Sequence, residues 1–248
     1  MKVRYYQDST PVDVPCREEN FERREIEMGL PIDQTALVLV DLWQDHFIES
    51  WIERAAQVLR EKVLPVIDAA RSGGISVIHG PCPEVAGHYE QLDRHKAPEP
   101  SGETPAWPPP EFRRREGDYH AYRGPREQEP GIRDIRDNRR MSDLVEVRDE
   151  DIVIASGQQL HDYLESQQIL HLVYAGFATN WCIINRDYGV RPMRDRGYNV
   201  ILLREATTGV EFPDTLDGLW ATELAIREVE QKFGFSASNA DFFEYCGG

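Results

Sequence analysis

Three side chains able to do acid–base or nucleophilic work stand at the ends of short hydrophobic runs. Cys182 lies in "YAGFATNWCIINRD" (174–187), where an apolar run meets Gly176, a small polar turn and then a helix-like stretch. Asp41 closes "ALVLVD" (36–41), and His79 sits near the end of "ISVIHG" (75–80). A thiol at the start of a helix meets unpaired backbone N–H groups and a helix dipole that favour a thiolate. The same N–H groups can hold a developing oxyanion. A carboxylate beside it can take the thiol proton and return it to a leaving group. Together these parts would make a nucleophilic acyl-transfer site. A cysteine on a helix facing a sheet also serves as a small core residue. An acid closing a buried strand also serves as a cap.

The elements that must position them alternate. Continuous apolar runs at 36–41, 75–80, 151–156, 170–176 and 198–203 read as strands buried on both faces. Helical spacing joins Ile52, Ala55, Ala56, Leu59, Val63, Ile67 and Ala70, with a stop at "SGG". Further helices are predicted at "QLHDYLESQQI", at 180–196 with a break or kink before Pro192, and at 214–234. This alternation predicts an α/β fold: a three-layer α/β/α sandwich on a mainly parallel, doubly wound sheet. Ligands of such sheets bind outside the carboxyl ends of the strands, where strand order reverses. Asp41, His79, Ala155 and Ser156, the 176–182 segment, and Arg204 and Glu205 are expected at that edge. Residues 1–34 read as an N-terminal extension to a domain over 35–248. Residues 81–147, with "PEPSGETPAWPPPEF" and an arginine-rich stretch, read as an insertion after the second strand, a lid or an oligomer arm.

The sequence also resembles the isochorismatase-like cysteine hydrolases, the group that includes nicotinamidases. "ALVLVDLWQDHF" is similar to their strand-plus-acid opening, "GFATNWCI" to their G-x-x-T-x-x-C-V segment, and "RGYNVILLREATTG" to the stretch that follows. The order and spacing agree over roughly 36–230, apart from the insertion. The resemblance implies Cys182 as nucleophile and Asp41 as its acid/base partner. It implies a cis peptide at Phe177–Ala178, which would turn the Ala178 and Cys182 amides toward one point as an oxyanion hole. The expected activity is hydrolysis of a small amide or related C–N bond through a thioester acyl-enzyme. Two alternatives stay open: a binding or scaffold protein on the same fold, and a vinyl-ether hydrolase of the isochorismatase type.

One departure is serious. The family's third catalytic residue is a lysine at the end of the third strand, and "DIVIASGQQL" places Ala155 there. Without a cation, a carboxylate beside the thiol raises its pKa. His46, His79, or an arginine of the insertion such as Arg123 or Arg126 could supply the charge. The opening D-x-W-x-x-H with "ASGQQLH" is similar to a lysine-free branch of the family, to which His161 would belong. The D-x-H metal motif of nicotinamidase-like members is absent. Asp45, His46, His79 and His88 could still gather, but no metal and no organic cofactor is expected. Trp43, Phe177, Asn180 and Trp181 are candidates for an aromatic substrate pocket.

Composition bounds the partners. A net charge of −16 argues against nucleic acid and anionic membranes. No apolar window is long enough to span a bilayer, and the N-terminus has no signal-like apolar stretch. The four cysteines show no CxxC pair, which suits free thiols and a cytoplasmic location. A small-molecule substrate is expected, and the resemblance implies a homo-oligomer.

Overall fold

The computed structural model describes residues 1–95, 107–122 and 130–247. Strands are β1 (Lys2–Gln7), β2 (Glu22–Glu27), β3 (Thr35–Val40), β4 (Ser76–Gly80), β5 (Ile152–Val153), β6 (His171–Phe177), β7 (Asn199–Thr208) and β8 (Phe235–Ala237). They form one sheet in the order β2-β1-β8-β7-β6-β3-β4-β5. The pairs from β8 through β5 are parallel, while β1 pairs antiparallel with β2 and β8.

From β3 the chain winds outward through β4 to β5. From β6, on the other side of β3, it winds through β7 to β8. The order therefore reverses between β3 and β6, the place where a doubly wound sheet opens a crevice. At Val40↔Gly176 the two strands meet closely, and a Cβ on Gly176 would lie 2.1 Å from the Val40 carbonyl oxygen. Gly176 also has φ +116°, so glycine is required there on both counts.

The helices are α1 (Glu49–Val58), α2 (Leu64–Ser72), α3 (Pro83–Ala86), α4 (Pro110–Arg114), α5 (Pro130–Asp137), α6 (Gly157–Ser166), α7 (Val190–Asp195), α8 (Trp220–Glu228) and α9 (Asn239–Gly247). Strand alternation divides the core in two. Leu37, Leu39, Val77, Val173 and Ile201 face α1, α2 and α9 through Ala55, Val66, Ile67 and Phe242. Val38, Ile78, Leu172, Tyr174 and Leu202 face α6, α7 and α8 through Leu160, Val190, Met193 and Ile226. A π-helical turn, Leu59–Val63, joins α1 to α2. Pro65, just beyond it, has no N–H to donate and would clash with a regular preceding turn.

The expected α/β/α sandwich is thus present, with three strands more than the sequence reading contained. Residues 1–34 add β1 and β2 to the β8 edge of the sheet. Arg4 ties this edge down, its Nε bonding the Glu230 carboxylate at 2.6 Å. The insertion returns along the segment that follows β3. Ser142 donates its N–H to the Leu42 carbonyl at 2.8 Å, Gln44 donates to the Arg140 carbonyl at 3.0 Å, and Met141 bridges Trp43. Arg123 and Arg126 lie outside the described residues.

Candidate active site

The crevice between β3 and β6 brings Asp41 and Cys182 together. Asp41 follows β3, donates its N–H to the Gly80 carbonyl at 3.1 Å, and has φ +47°, a left-handed conformation uncommon for a non-glycine residue. Such outliers persist where the surrounding structure over-determines them. Cys182 lies on a π-helical turn, Thr179–Ile183, that begins directly after β6. Thr179 anchors this turn through a 2.7 Å hydroxyl contact with Thr207 of β7. The Phe177–Ala178 peptide is cis, as the resemblance implied.

The cation beside Asp41 is Arg186. Its Nε and Nη2 both donate to Asp41 Oδ2, at 3.1 and 2.9 Å. Asp41 Oδ1 is buried without a hydrogen-bond partner, and the carboxylate interacts with the Cys182 thiol, a weak donor. One carboxylate oxygen is therefore held by the cation and the other is left unpartnered.

Local sequence explains how Arg186 reaches the site. The helix expected over 180–196 is interrupted at 186–189 and resumes as α7, so the chain breaks ahead of Gly189, before the place expected from Pro192. A Cβ on Gly189 would meet the Ile183 carbonyl at 2.7 Å, and one on Gly157 would meet the Asp187 carbonyl at 2.2 Å. Gly157 N–H donates to Asp187 Oδ2 at 2.6 Å, and Tyr188 donates its hydroxyl to the Pro81 carbonyl at 2.8 Å across Gly80. Gly157 thus lets the 186–188 segment close onto the sheet edge.

Burial pushes the Asp41 carboxyl above the ordinary carboxylate range, and the Arg186 charge only partly offsets it. Burial also pushes the Cys182 thiol up, to about 12, with the Asp41 charge adding to it. Arg186 and the Ala178 N–H, which bonds the sulfur, act the other way. At neutral pH the pair holds the thiol proton beside a carboxylate of raised basicity. Such a site delivers a thiolate only as the proton moves.

The other expected residues are placed as follows. His79 is fully buried, with Nε2 3.0 Å from Asp151 Oδ2, and Arg71 Nη2 binds the same oxygen at 2.5 Å. His79 therefore belongs to a buried ion-pair cluster under α2 rather than to the thiol. His46 accepts the Ile48 N–H at Nδ1 (3.1 Å), stacks on Phe47 and meets Trp51 edge-on, a place at the start of α1. His161 meets the Tyr198 hydroxyl at 2.8 Å, on α6. Phe177 is core, edge-on to Trp51. Asn180 gives its amide to the Val210 carbonyl and accepts the Val210 N–H, both at 2.9 Å, so it clamps a loop. Trp181 is 36% exposed beside the nucleophile, and Trp43 is buried two residues beyond Asp41. Arg204 bonds Ser236 and Glu205 accepts the Asn239 N–H, because β7 runs on to Thr208.

Sequence reasoning missed Arg186, Tyr188 and Cys82. Arg186 carried a signal, since it follows Cys182 by one helical turn and so shares its face. Cys82 bonds the Glu84 carboxylate and feels the Asp41 charge; burial raises its pKa.

The family model for the isochorismatase domain matches residues 35–235, and the chain belongs to this family of hydrolases. Solved structures share the fold. A cysteine hydrolase from Pseudomonas syringae pv. phaseolicola has TM-score 0.58 at 14% identity, over 90% of this chain and 96% of that one. An isochorismatase family protein from Desulfovibrio vulgaris has TM-score 0.52 at 12% identity, over 87% and 99%. One from Burkholderia thailandensis has TM-score 0.50 at 18% identity, over 87% and 97%. No curated protein matches the sequence.

Proposed function

We propose that this chain hydrolyses a small amide or related C–N bond through a thioester on Cys182. The observation that carries the reading is the setting of Asp41, with Oδ2 held by Arg186, Oδ1 buried without a partner, and the carboxylate beside the Cys182 thiol. As Cys182 Sγ attacks the carbonyl carbon, Asp41 takes the thiol proton. The carbonyl oxygen gathers negative charge next to the Ala178 and Cys182 amides. Asp41 then protonates the leaving nitrogen, the C–N bond breaks, and a thioester remains. A water molecule, deprotonated by Asp41, attacks the thioester; the acid departs and the sulfur recovers its proton. Arg186 keeps the buried carboxylate in its basic form between these transfers. The protonated resting thiol is what favours a second reading, a binding protein on the same fold.

The test is ammonia release from a panel of primary amides and ureides, with intact-protein mass spectrometry for the acyl-enzyme. The reading expects turnover, an adduct on Cys182, and loss of both in Cys182→Ala. Ammonia release that survives Cys182→Ala would overturn the thioester route, because the C–N bond would then break without the sulfur. No turnover and no adduct with any member would favour the binding protein.

A further inference from the structure

We propose that Arg139 is the recognition group for a carboxylate on the substrate, so that the compounds cleaved here carry an acidic group close to the scissile carbonyl. This rests on the hydrolase reading and narrows its substrate class.

Arg139 stands on the returning limb of the insertion. Its neighbour Arg140 accepts the Gln44 N–H, and Met141 bridges Trp43, so the backbone on which it sits is fastened to the segment leaving Asp41. The Arg139 guanidinium carbon lies 4.9 Å from the Trp43 ring centroid, and Trp43 donates its N–H to the Asp41 carbonyl at 2.9 Å. The ring covers one face of the guanidinium. The positive charge reaches the catalytic carboxylate.

This cation has no acid of its own. The chain has 44 acidic residues and a net charge of −16, and Arg4, Arg71 and Arg186 each hold a buried carboxylate. Arg139 forms no ion pair among the described residues, and its Nε is buried without an acceptor. A desolvated donor with no partner is costly and uncommon in a folded protein. A planar carboxylate meeting the guanidinium edge would satisfy it with paired, charge-assisted bonds. Asp41 does not compete for this role, since Arg186 already occupies it. Asp41 thus feels two cations with separate tasks, one to hold the base and one to hold the substrate.

Iodoacetate and iodoacetamide test this directly, because they share a leaving group and differ in charge. Each forms an S–C bond to Cys182 with loss of iodide, and the thiol proton passes to Asp41 or solvent. Rates at Cys182 are read by peptide mapping, which separates it from Cys16, Cys82 and Cys246. In Arg139→Gln the iodoacetate rate should fall about tenfold relative to wild type, while the iodoacetamide rate stays within about twofold. Arg139→Lys should recover part of the loss. An unchanged ratio of the two rates overturns the proposal. If Cys182 resists both reagents, succinate is the probe: it should raise the melting temperature of wild type and not of Arg139→Gln, and an equal response in both overturns the proposal. A lowered ratio without any amide turnover would keep the carboxylate subsite and reject the hydrolase.

Discussion

Replacing Arg186 with methionine separates the cation from the base it serves. Asp41 is wholly buried and Arg186 is 29% exposed, so the pair sits at the wall of the crevice. Removing one partner of a fully buried pair costs about 3–5 kcal/mol. Partial exposure of the arginine, and the freedom of Asp41 to accept a proton, reduce this to about 2 kcal/mol. The catalytic cost should be larger. An opposite charge at contact lowers a carboxyl pKa by about 1–3 units, and burial already holds Asp41 above its usual range. Without Arg186 the carboxyl rises further, which favours its protonated form and weakens the base. General-base losses run from about 10² to 10⁴; a loss of about 10³ corresponds to about 4 kcal/mol of barrier. The assay is kcat/KM against pH, with the best amide of the panel. In Arg186→Met the acid limb should move up by at least about one unit, so that part of the rate returns at alkaline pH. Arg186→Lys keeps the charge but not the paired donors, and should lose about tenfold. An Arg186→Met protein with kcat/KM within threefold of wild type and an unmoved acid limb would refute this account.

Three further outcomes follow from the same geometry. Asp41→Asn removes the negative charge that helps push Cys182 up to about 12, so the thiol pKa should fall by about 1–3 units even as hydrolysis drops at least about 100-fold; a rise on alkylation titration would reverse the assigned sign. His79→Ala breaks the contact with Asp151 beneath α2 and should cost about 2–4 kcal/mol in denaturant melts, with kcat/KM within about twofold; a large loss of rate in a stable variant would return His79 to the site. Gly176→Ala forces a Cβ to 2.1 Å from the Val40 carbonyl at φ +116° and should cost more than about 4 kcal/mol, lowering soluble yield; a melting temperature near wild type would show that β3 and β6 can part.

The central sheet and its reversal point were legible because buried parallel strands write themselves as unbroken apolar runs. β1, β2 and β8 were not, since β2 reads "ERREIE" and β8 covers only Phe235–Ala237. Cys182 and Asp41 were legible because a strand end fixes where its last residue stands. The cation was not, because its position depends on a helix interruption at 186–189 and on the close approach allowed by Gly157. His79 misled for a related reason. Its place at the strand end is right, but the twofold alternation of β4 turns it with Val77 toward α2, where Asp151 and Arg71 wait. Asn180 and Phe177 flank the nucleophile in sequence, yet backbone clamping and core packing claim them.

The sheet's two borders constrain how copies of this chain meet. At one border β2 carries three glutamates and two arginines, its residues mostly exposed, and Lys2 of the adjoining strand binds Glu25. At the other, β5 offers only Ile152–Val153. A continuous intermolecular sheet needs a long, weakly charged ladder of unpaired amides. One border sets like charges against any identical strand laid beside it in register, and the other is too short to template pairing. Self-association by strand addition is therefore disfavoured at both ends, and any stable assembly has to use the helical faces or the loops.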